Sequence, residues 1–196
     1  MEEGSIYFHD GEVIAESGQA KIYEMNDQLF LEIGPGHNLW ALESELEDYI
    51  QQLWDKPKGN CLEIGLGLGV ASNYILYCPE VTSLTTVEKN EDVINVYADV
   101  KPILEERPRQ QQNFGKGKKH MVLNADGLFY AYETNRLYDF VFLDFYSIID
   151  EDTLPAIADM AQACRKVLKS DGELIGWLDK STPKELTSEF FEIIGK

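Results

Sequence analysis

Three glycines at alternate positions follow a short apolar run, and this is the most informative pattern in the sequence. Residues 61–64 lead directly into Gly65, Gly67 and Gly69, and helix-forming residues come next. Glycine is favoured where the backbone adopts positive φ or passes close to a ligand, and a helix behind such a loop offers free N–H groups. The pattern predicts a strand, a ligand-binding turn and a helix. A tight turn without a ligand would use the same residues.

Four carboxylates are predicted to share one edge of a sheet. Glu63 lies in the run before the glycines, Glu88 follows Gly69 by 19 residues, and Asp126 and Asp144 follow two further predicted strands. Ligands of open parallel sheets bind beyond the carboxyl ends of the strands, where a ribose-binding acid often stands. Singly, Asp126 or Asp144 could be a helix cap or a turn residue. Together, four like charges are costly unless a cation or a group rich in donors lies among them.

Strands alternate with helices from residue 60 onwards, which is typical of an α/β protein with a parallel sheet covered on both faces. The predicted strands are 60–64, 81–87, 120–125, 140–143 and 173–178, and the predicted helices are 70–78, 91–105, 153–168 and 183–194. Apolar residues at helical spacing predict another helix over 39–54. Before it, segments 5–8 with 12–15 and 21–25 with 28–33 are predicted to form two β-hairpins. We therefore expect an N-terminal β-hairpin region over 1–36 and a Rossmann-like, doubly wound domain over 37–196.

Composition excludes several classes of protein. The 196 residues carry 35 Asp and Glu against 17 Lys and Arg, a net charge of −18. This charge opposes binding to nucleic acid and suits a cationic ligand. No segment approaches the ~20 apolar residues of a membrane helix, and no secretory signal is visible. Three cysteines in apolar surroundings (Cys61, Cys78 and Cys164) favour a cytoplasmic protein with reduced thiols. No spacing of His and Cys indicates a metal site.

The order of these motifs resembles the class I S-adenosylmethionine-dependent methyltransferase superfamily. The resemblance covers residues 60–178 and rests on the glycine pattern, Val87-Glu88, Asp126-Gly127 and the segment 138–144. Within the superfamily, segment 87–94 and Asp126-Gly127 are similar to the spermidine synthase branch, as is the β-rich region before the core. The resemblance implies S-adenosyl-L-methionine as cofactor.

The resemblance also implies a role for each site residue. The backbone of Gly65, Gly67 and Gly69 would pack against the nucleoside and methionyl parts of the cofactor. Glu63 would lie near the methionyl amino group, and Glu88 would hold the ribose. Asp126 would meet the adenine amine, and Asp144 would face the sulfonium. These expectations agree with the acidic edge, since S-adenosylmethionine carries a net positive charge.

The sequence departs from the spermidine synthase pattern after Asp144. That family continues with two serines and a second aspartate, the proton acceptor, whereas this chain has Phe145, Tyr146 and Ser147. Asp144 and Tyr146 are the candidates for holding the acceptor substrate. Only 16 residues follow Lys180, enough for one helix, so we expect a sheet edge to be covered by the N-terminal strands or in a homodimer.

The sequence predicts a methyltransferase that transfers a methyl group in line to a small acceptor molecule. The acidic edge is suited to a cationic acceptor. An aminopropyltransferase like spermidine synthase is the first alternative, and a non-catalytic cofactor-binding module of the same fold is the second. A nicotinamide dehydrogenase is disfavoured, because Val70 or Ser72 replaces the third glycine of its fingerprint.

Overall fold

The computed structural model describes residues 10–34, 38–106 and 118–195. Its first part is an antiparallel sheet in the order β1 (Glu12–Ser17), β2 (Ala20–Met25), β3 (Gln28–Ile33) and β4 (Asn38–Leu42). Asn26 and Asp27 join β2 to β3 with φ of 53° and 59°, values that the tightest hairpin turns require. The hairpin predicted over 21–33 is confirmed. Segment 5–8 of the other predicted hairpin lies outside the described residues.

The helix predicted over 39–54 is wrong in its first part. Residues 38–42 form β4, which pairs with β3 through Leu31 and Ala41 among others. A 3-10 turn follows at Glu43–Glu45, and only then does helix α1 (Leu46–Leu53) begin. The apolar spacing of residues 38–42 is compatible with a helix. They form a strand instead, because the free edge of β3 offers backbone groups with which they hydrogen-bond.

A five-stranded parallel sheet forms the second part. Along the chain come β5 (Gly59–Ile64), α2 (Val70–Tyr77), β6 (Val81–Glu88), α3 (Glu91–Glu106), β7 (Lys119–Asn124), α4 (Gly127–Glu133), β8 (Tyr138–Leu143), α5 (Leu154–Lys166), β9 (Leu168–Gly176) and α6 (Lys184–Ile194). The spatial order is β7-β6-β5-β8-β9, so the chain reverses its direction of winding between β5 and β8. Ligands of doubly wound folds bind at this reversal. The predicted α/β architecture is confirmed, and α4 is an element that the sequence analysis did not find.

The centre of the sheet is apolar and covered on both faces, because consecutive residues of β5 and β8 are buried although they point to opposite sides. Helix α1 packs against α2, and α4 packs against α5. The N-terminal sheet packs on α3 through β1 and β2. In the part of the chain that the structure describes, no helix combines the length and apolarity of a membrane span.

Candidate cofactor site at the carboxyl edge of the sheet

The turn after β5 has the conformation that its glycines predict. Gly65, Gly67 and Gly69 have φ of 98°, 50° and 75°, values that are costly for residues with a Cβ. At Gly65 a Cβ would also meet the backbone oxygen of Asp144 at 2.0 Å. The amide of Gly65 donates to the carbonyl of Val87 over 2.9 Å, and the amide of Asp144 donates to the carbonyl of Ile64 over 2.8 Å. The ends of three strands are therefore joined at this turn.

Glu88 is the last residue of β6, and its carboxylate is held entirely by backbone groups. Oε2 accepts a hydrogen bond from the amide of Leu66 in the glycine turn over 3.0 Å, and Oε1 accepts one from the amide of Asn90 over 2.8 Å. Each carboxylate oxygen has two lone pairs, so both can still accept from a ligand hydroxyl. The Glu88 carboxylate is therefore a hydrogen-bond acceptor held in a fixed orientation beside the glycine turn.

Asp126 caps helix α4, so the helix cap that the sequence allowed at this position is confirmed. Its Oδ1 accepts a hydrogen bond from the amide of Phe129 over 2.9 Å. The same residue also forms part of a cavity wall, so capping and ligand contact are compatible at this position. The cap holds the backbone of Asp126 and Gly127 beside the end of β7.

A cavity of about 360 Å³ lies at the reversal point of the sheet. This volume is within the range of small-molecule sites. Its wall combines apolar side chains with three acidic groups of the predicted site. The lining residues include Ile33, Trp40, Ile64, Gly65, Glu88, Asn90, Val93, Asp126, Leu128, Asp144, Asp159 and Met160. The structure therefore brings Glu88, Asp126 and Asp144 together.

A second cavity of about 40 Å³ adjoins the first. Its wall includes Trp40, Glu45, Tyr49, Leu66, Gly67, Leu68, Asp144, Tyr146, Ser147 and Trp177. Trp40 and Asp144 line both cavities. They mark the junction where a group held in the larger space would meet a group held in the smaller one.

Asp144 is the acidic group at this junction. Its Oδ2 accepts a hydrogen bond from the hydroxyl of Tyr49 over 2.9 Å. The pKa of Asp144 is raised to about 7, chiefly by burial; the Tyr49 hydrogen bond lowers it and the charges of Glu45 and Glu88 raise it. Burial also raises the pKa of Glu45 to about 7. Both carboxyl groups thus change charge near neutral pH.

Glu63 does not reach either cavity. Its side chain is fully buried under the glycine turn, where Oε2 accepts hydrogen bonds from Ser72 and, over 2.7 Å, from Thr86. Burial raises the pKa of Glu63 to about 8, with the two hydroxyls acting in the opposite direction. The side chain points to a face of the sheet rather than past its edge, and its expected position near a methionyl amino group stays a prediction.

Tyr146 lines the smaller cavity, but its hydroxyl is engaged elsewhere. It donates to the carbonyl oxygen of Trp177 over 2.7 Å, and its ring packs edge-on against Phe145 and Phe190. Burial holds the pKa of Tyr146 well above its usual range. The side chain is a fixed wall of the cavity, and a role in holding the acceptor stays a prediction.

Three residues of the site escaped the sequence analysis: Trp40, Glu45 and Tyr49. All three lie within the segment 39–54, for which the sequence predicts only a helix. Their spacing carries no sign of a ligand, since Tyr49 reaches Asp144 only because α1 packs beside β8, and Trp40 comes from β4. No cluster of three or more potential metal ligands occurs among residues 10–34, 38–106 and 118–195.

Comparison with known proteins supports the fold. The spermidine synthase of Thermotoga maritima superposes on 93% of this chain with a TM-score of 0.68 and 17% identity, and a spermidine synthase in complex with the transition-state analogue AdoDATO gives 0.66 at 17% identity over 93% of this chain. The precorrin 8w decarboxylase of Methanobacterium thermoautotrophicum superposes on 78% of this chain and covers 69% of its own, with a TM-score of 0.51 and 10% identity. No protein-family model matches the chain, and no curated protein matches it in sequence.

The chain therefore has a Rossmann-like α/β fold similar to that of the spermidine synthases. The resemblance found in the sequence is confirmed at the level of the fold. The chain spans 63% and 62% of the lengths of the two spermidine synthases.

Proposed function

We propose that the protein is an S-adenosylmethionine-dependent methyltransferase whose cofactor binds in the larger cavity. The observation that carries this proposal is the convergence of Glu88, Asp126 and Asp144 on one cavity beside the glycine turn. Lys89 also lines this cavity, but among the described residues no lysine or arginine forms an ion pair with any of the three. A ligand with a net positive charge and several donors complements such a wall.

The residues present fit the parts of this cofactor. Glu88 would accept from the ribose hydroxyls, since both its oxygens are fixed by backbone amides. Leu128 and Met160 supply apolar walls for a purine, and Asp126 at the same end is an acceptor for its amine. Asp144 would lie beside the sulfonium. When bound, the cofactor supplies a methyl group that its positive sulfur already activates.

The chain's own contribution to transfer would be positioning. The acceptor would enter the smaller cavity, with its nucleophilic atom at the junction between Trp40 and Asp144. Holding two reactants in line can lower a barrier by ~7–11 kcal/mol. Asp144 is the group that could take a proton from an acceptor that arrives protonated, because its pKa of about 7 leaves much of it ionised at neutral pH.

Calorimetric titration of the Glu88→Ala variant tests the cofactor assignment. Wild-type protein should bind S-adenosylmethionine and S-adenosylhomocysteine. Glu88→Ala should weaken both by roughly 10- to 100-fold, the effect of losing charge-assisted hydrogen bonds. Glu91→Ala removes an exposed acid three residues away and is the matched control. Equal affinities of Glu88→Ala and wild type would refute the placement of the ribose.

Aminopropyl transfer is the second candidate, favoured by the likeness of the fold to spermidine synthases. Ser147 opposes it, because this exposed residue of the smaller cavity replaces that family's second aspartate with a hydroxyl. Incubation with putrescine and either S-adenosylmethionine or its decarboxylated form separates the candidates. An aminopropylated product would overturn methyl transfer. Cofactor binding without transfer to any acceptor would support a non-catalytic module.

A homodimer is also part of the proposal. Among the described residues, β7 and β9 are the edges of the parallel sheet, and the N-terminal strands form a sheet of their own. A second copy would satisfy an unpaired strand edge. Sedimentation velocity reports the oligomeric state directly.

A further inference from the structure

Helix α1, which follows the N-terminal sheet along the chain, places the phenol of Tyr49 against Asp144. Tyr49 lies on α1, is 5% exposed, and donates its hydroxyl hydrogen bond to Asp144 over 2.9 Å. Its ring packs edge-on against Phe142 of β8 with the ring centres 6.0 Å apart. Burial and the neighbouring acids hold the pKa of Tyr49 well above its usual range, so its hydroxyl stays a donor. The phenol therefore has a proton to donate whenever Asp144 is ionised.

The same segment places a second carboxyl group at the smaller cavity. Glu45 precedes α1 by one residue and lines that cavity together with Tyr49 and Asp144. Its Oε2 accepts a hydrogen bond from the amide of Leu42 over 3.1 Å, which holds the side chain in place. Two carboxylates facing one small, partly buried space disfavour each other's charge.

We propose that Tyr49 and Glu45 are positioning residues that act in opposite directions on Asp144. The Tyr49 hydroxyl stabilises the Asp144 carboxylate and aims it at the junction of the two cavities, whereas the Glu45 carboxylate opposes its charge. The pair sets the pH above which Asp144 is an anion. The consequence for donor binding rests on the proposed function, since a cationic donor binds more tightly when Asp144 is an anion.

Other titratable or charged groups also face Asp144 or share its cavity walls. They are Glu63 on β5, Glu88 and Lys89 at the end of β6, Asp126 before α4, Tyr146 in the loop after β8, and Asp159 on α5. All of them stay in place when Tyr49 or Glu45 is replaced conservatively. Tyr49→Phe and Glu45→Gln each change one group that faces Asp144 and leave these other side chains unaltered.

The direct test is a carbon NMR titration of the Asp144 carboxyl without any donor, assigned by its loss in Asp144→Asn. Tyr49→Phe removes the stabilising hydrogen bond, so the titration midpoint should rise by ~0.5–1 pH unit. Glu45→Gln removes the opposing charge and keeps an oxygen for Leu42, so the midpoint should fall by a similar amount. Shifts in the same direction, or none, would overturn the proposal.

Two matched variants control for general effects. Tyr97→Phe removes another buried hydroxyl, one without a hydrogen-bond partner among the described residues. Glu47→Gln removes an exposed charge two residues from Glu45. Both should leave the midpoint at its wild-type value. A shift as large as that of Tyr49→Phe or Glu45→Gln would assign the effect to packing or net charge and refute the proposed pairing.

The affinity for S-adenosylmethionine, measured from pH 5.5 to 8.5, tests the consequence. Affinity should fall as pH drops through the Asp144 midpoint, and that fall should move to higher pH in Tyr49→Phe and to lower pH in Glu45→Gln. Opposite NMR shifts without matching affinity shifts would refute the link to donor binding. If wild-type protein binds no donor at any pH, the proposed function fails, while the NMR titration still decides the pairing.

Discussion

Gly65 lets the end of β5 lie closer to the loop after β8 than a residue with a Cβ could. Its φ is 98°, and a Cβ there would lie 2.0 Å from the backbone oxygen of Asp144. A backbone atom cannot swing aside as a flexible side chain can. The position of Asp144 at the cavity junction therefore depends on having a glycine, which carries no Cβ, at position 65.

Gly65→Ala should destabilise the protein by about 3 kcal/mol or more, through backbone strain combined with this overlap. Gly34→Ala is the matched control, because Gly34 has φ of 86° and nothing within 4 Å of its Cβ position. It should lose only ~1–2 kcal/mol to strain. Urea denaturation measures both. Equal losses in the two variants would show that the close approach at Asp144 does not matter.

Three of the four acids could be located from the sequence because parallel strands end at one edge of a sheet. Glu88, Asp126 and Asp144 each stand at or just after a strand end, and all three line the cavity. Glu63 stands one residue inside β5, so strand alternation points it to a face of the sheet, under Ser72. Tyr49 could not be located, since its contact with Asp144 joins residues 95 apart.

At the scale of elements, Asp92 joins the N-terminal sheet to the parallel sheet. It lies in the first turn of α3, and its carboxylate accepts hydrogen bonds from the hydroxyl of Ser17 over 3.1 Å and from the amide of Gln19 over 3.0 Å. Ser17 is the last residue of β1, and Gln19 lies in the turn that follows it. This contact matters for the site because the N-terminal sheet supplies Ile33 and Trp40 to the cavity wall.

Asp92→Ala should release the turn between β1 and β2. We expect a loss of roughly 1–3 kcal/mol of stability, because hydrogen bonds to a charged group contribute more than neutral ones and these two are only partly buried or exposed. Hydrogen exchange should accelerate in β1 and β2 more than in β5 and β8. Asp99→Ala, an exposed site on the same helix, serves as the control. Unchanged protection of β1 and β2 in Asp92→Ala would contradict this anchoring role.

The elements of the parallel sheet could be predicted because their apolar runs are local signals. The segment 39–54 could not, since its apolar spacing suits a helix and the decisive partner is the edge of β3. Helix α4 is seven residues long, too short for a clear periodic pattern. Its N-cap, Asp126, was recognised as a functional candidate and as a cap, but the helix behind it was not.

At the scale of the whole molecule, an acidic chain buries carboxyl groups in its centre. The net charge is −18, and Glu63 is fully buried with a pKa of about 8. Asp144 and Glu45 have pKa values of about 7. In each case the folded protein holds a proton that the unfolded chain releases at lower pH. By linkage, stability then decreases as pH rises through these values.

We predict that the free energy of unfolding falls between pH 6.5 and 8.5. His120 acts in the opposite sense, since burial lowers its pKa to about 4, but its effect is confined to pH below its ordinary value of 6.5. Glu63→Gln, which keeps an acceptor for Ser72 and Thr86, should flatten the fall. Denaturation midpoints at several pH values measure this slope. A stability that rises with pH in wild type would refute the assignment of buried protons.

We propose that the acidic edge of the parallel sheet holds an adenosyl donor. A crystal structure of the protein grown with S-adenosylhomocysteine tests it most directly. We predict that the ribose hydroxyls lie within hydrogen-bond distance of Glu88, the purine between Leu128 and Met160, and the sulfur at the junction of Trp40 and Asp144. An empty cavity at saturating ligand, or a ligand bound away from the carboxyl edge, would contradict it.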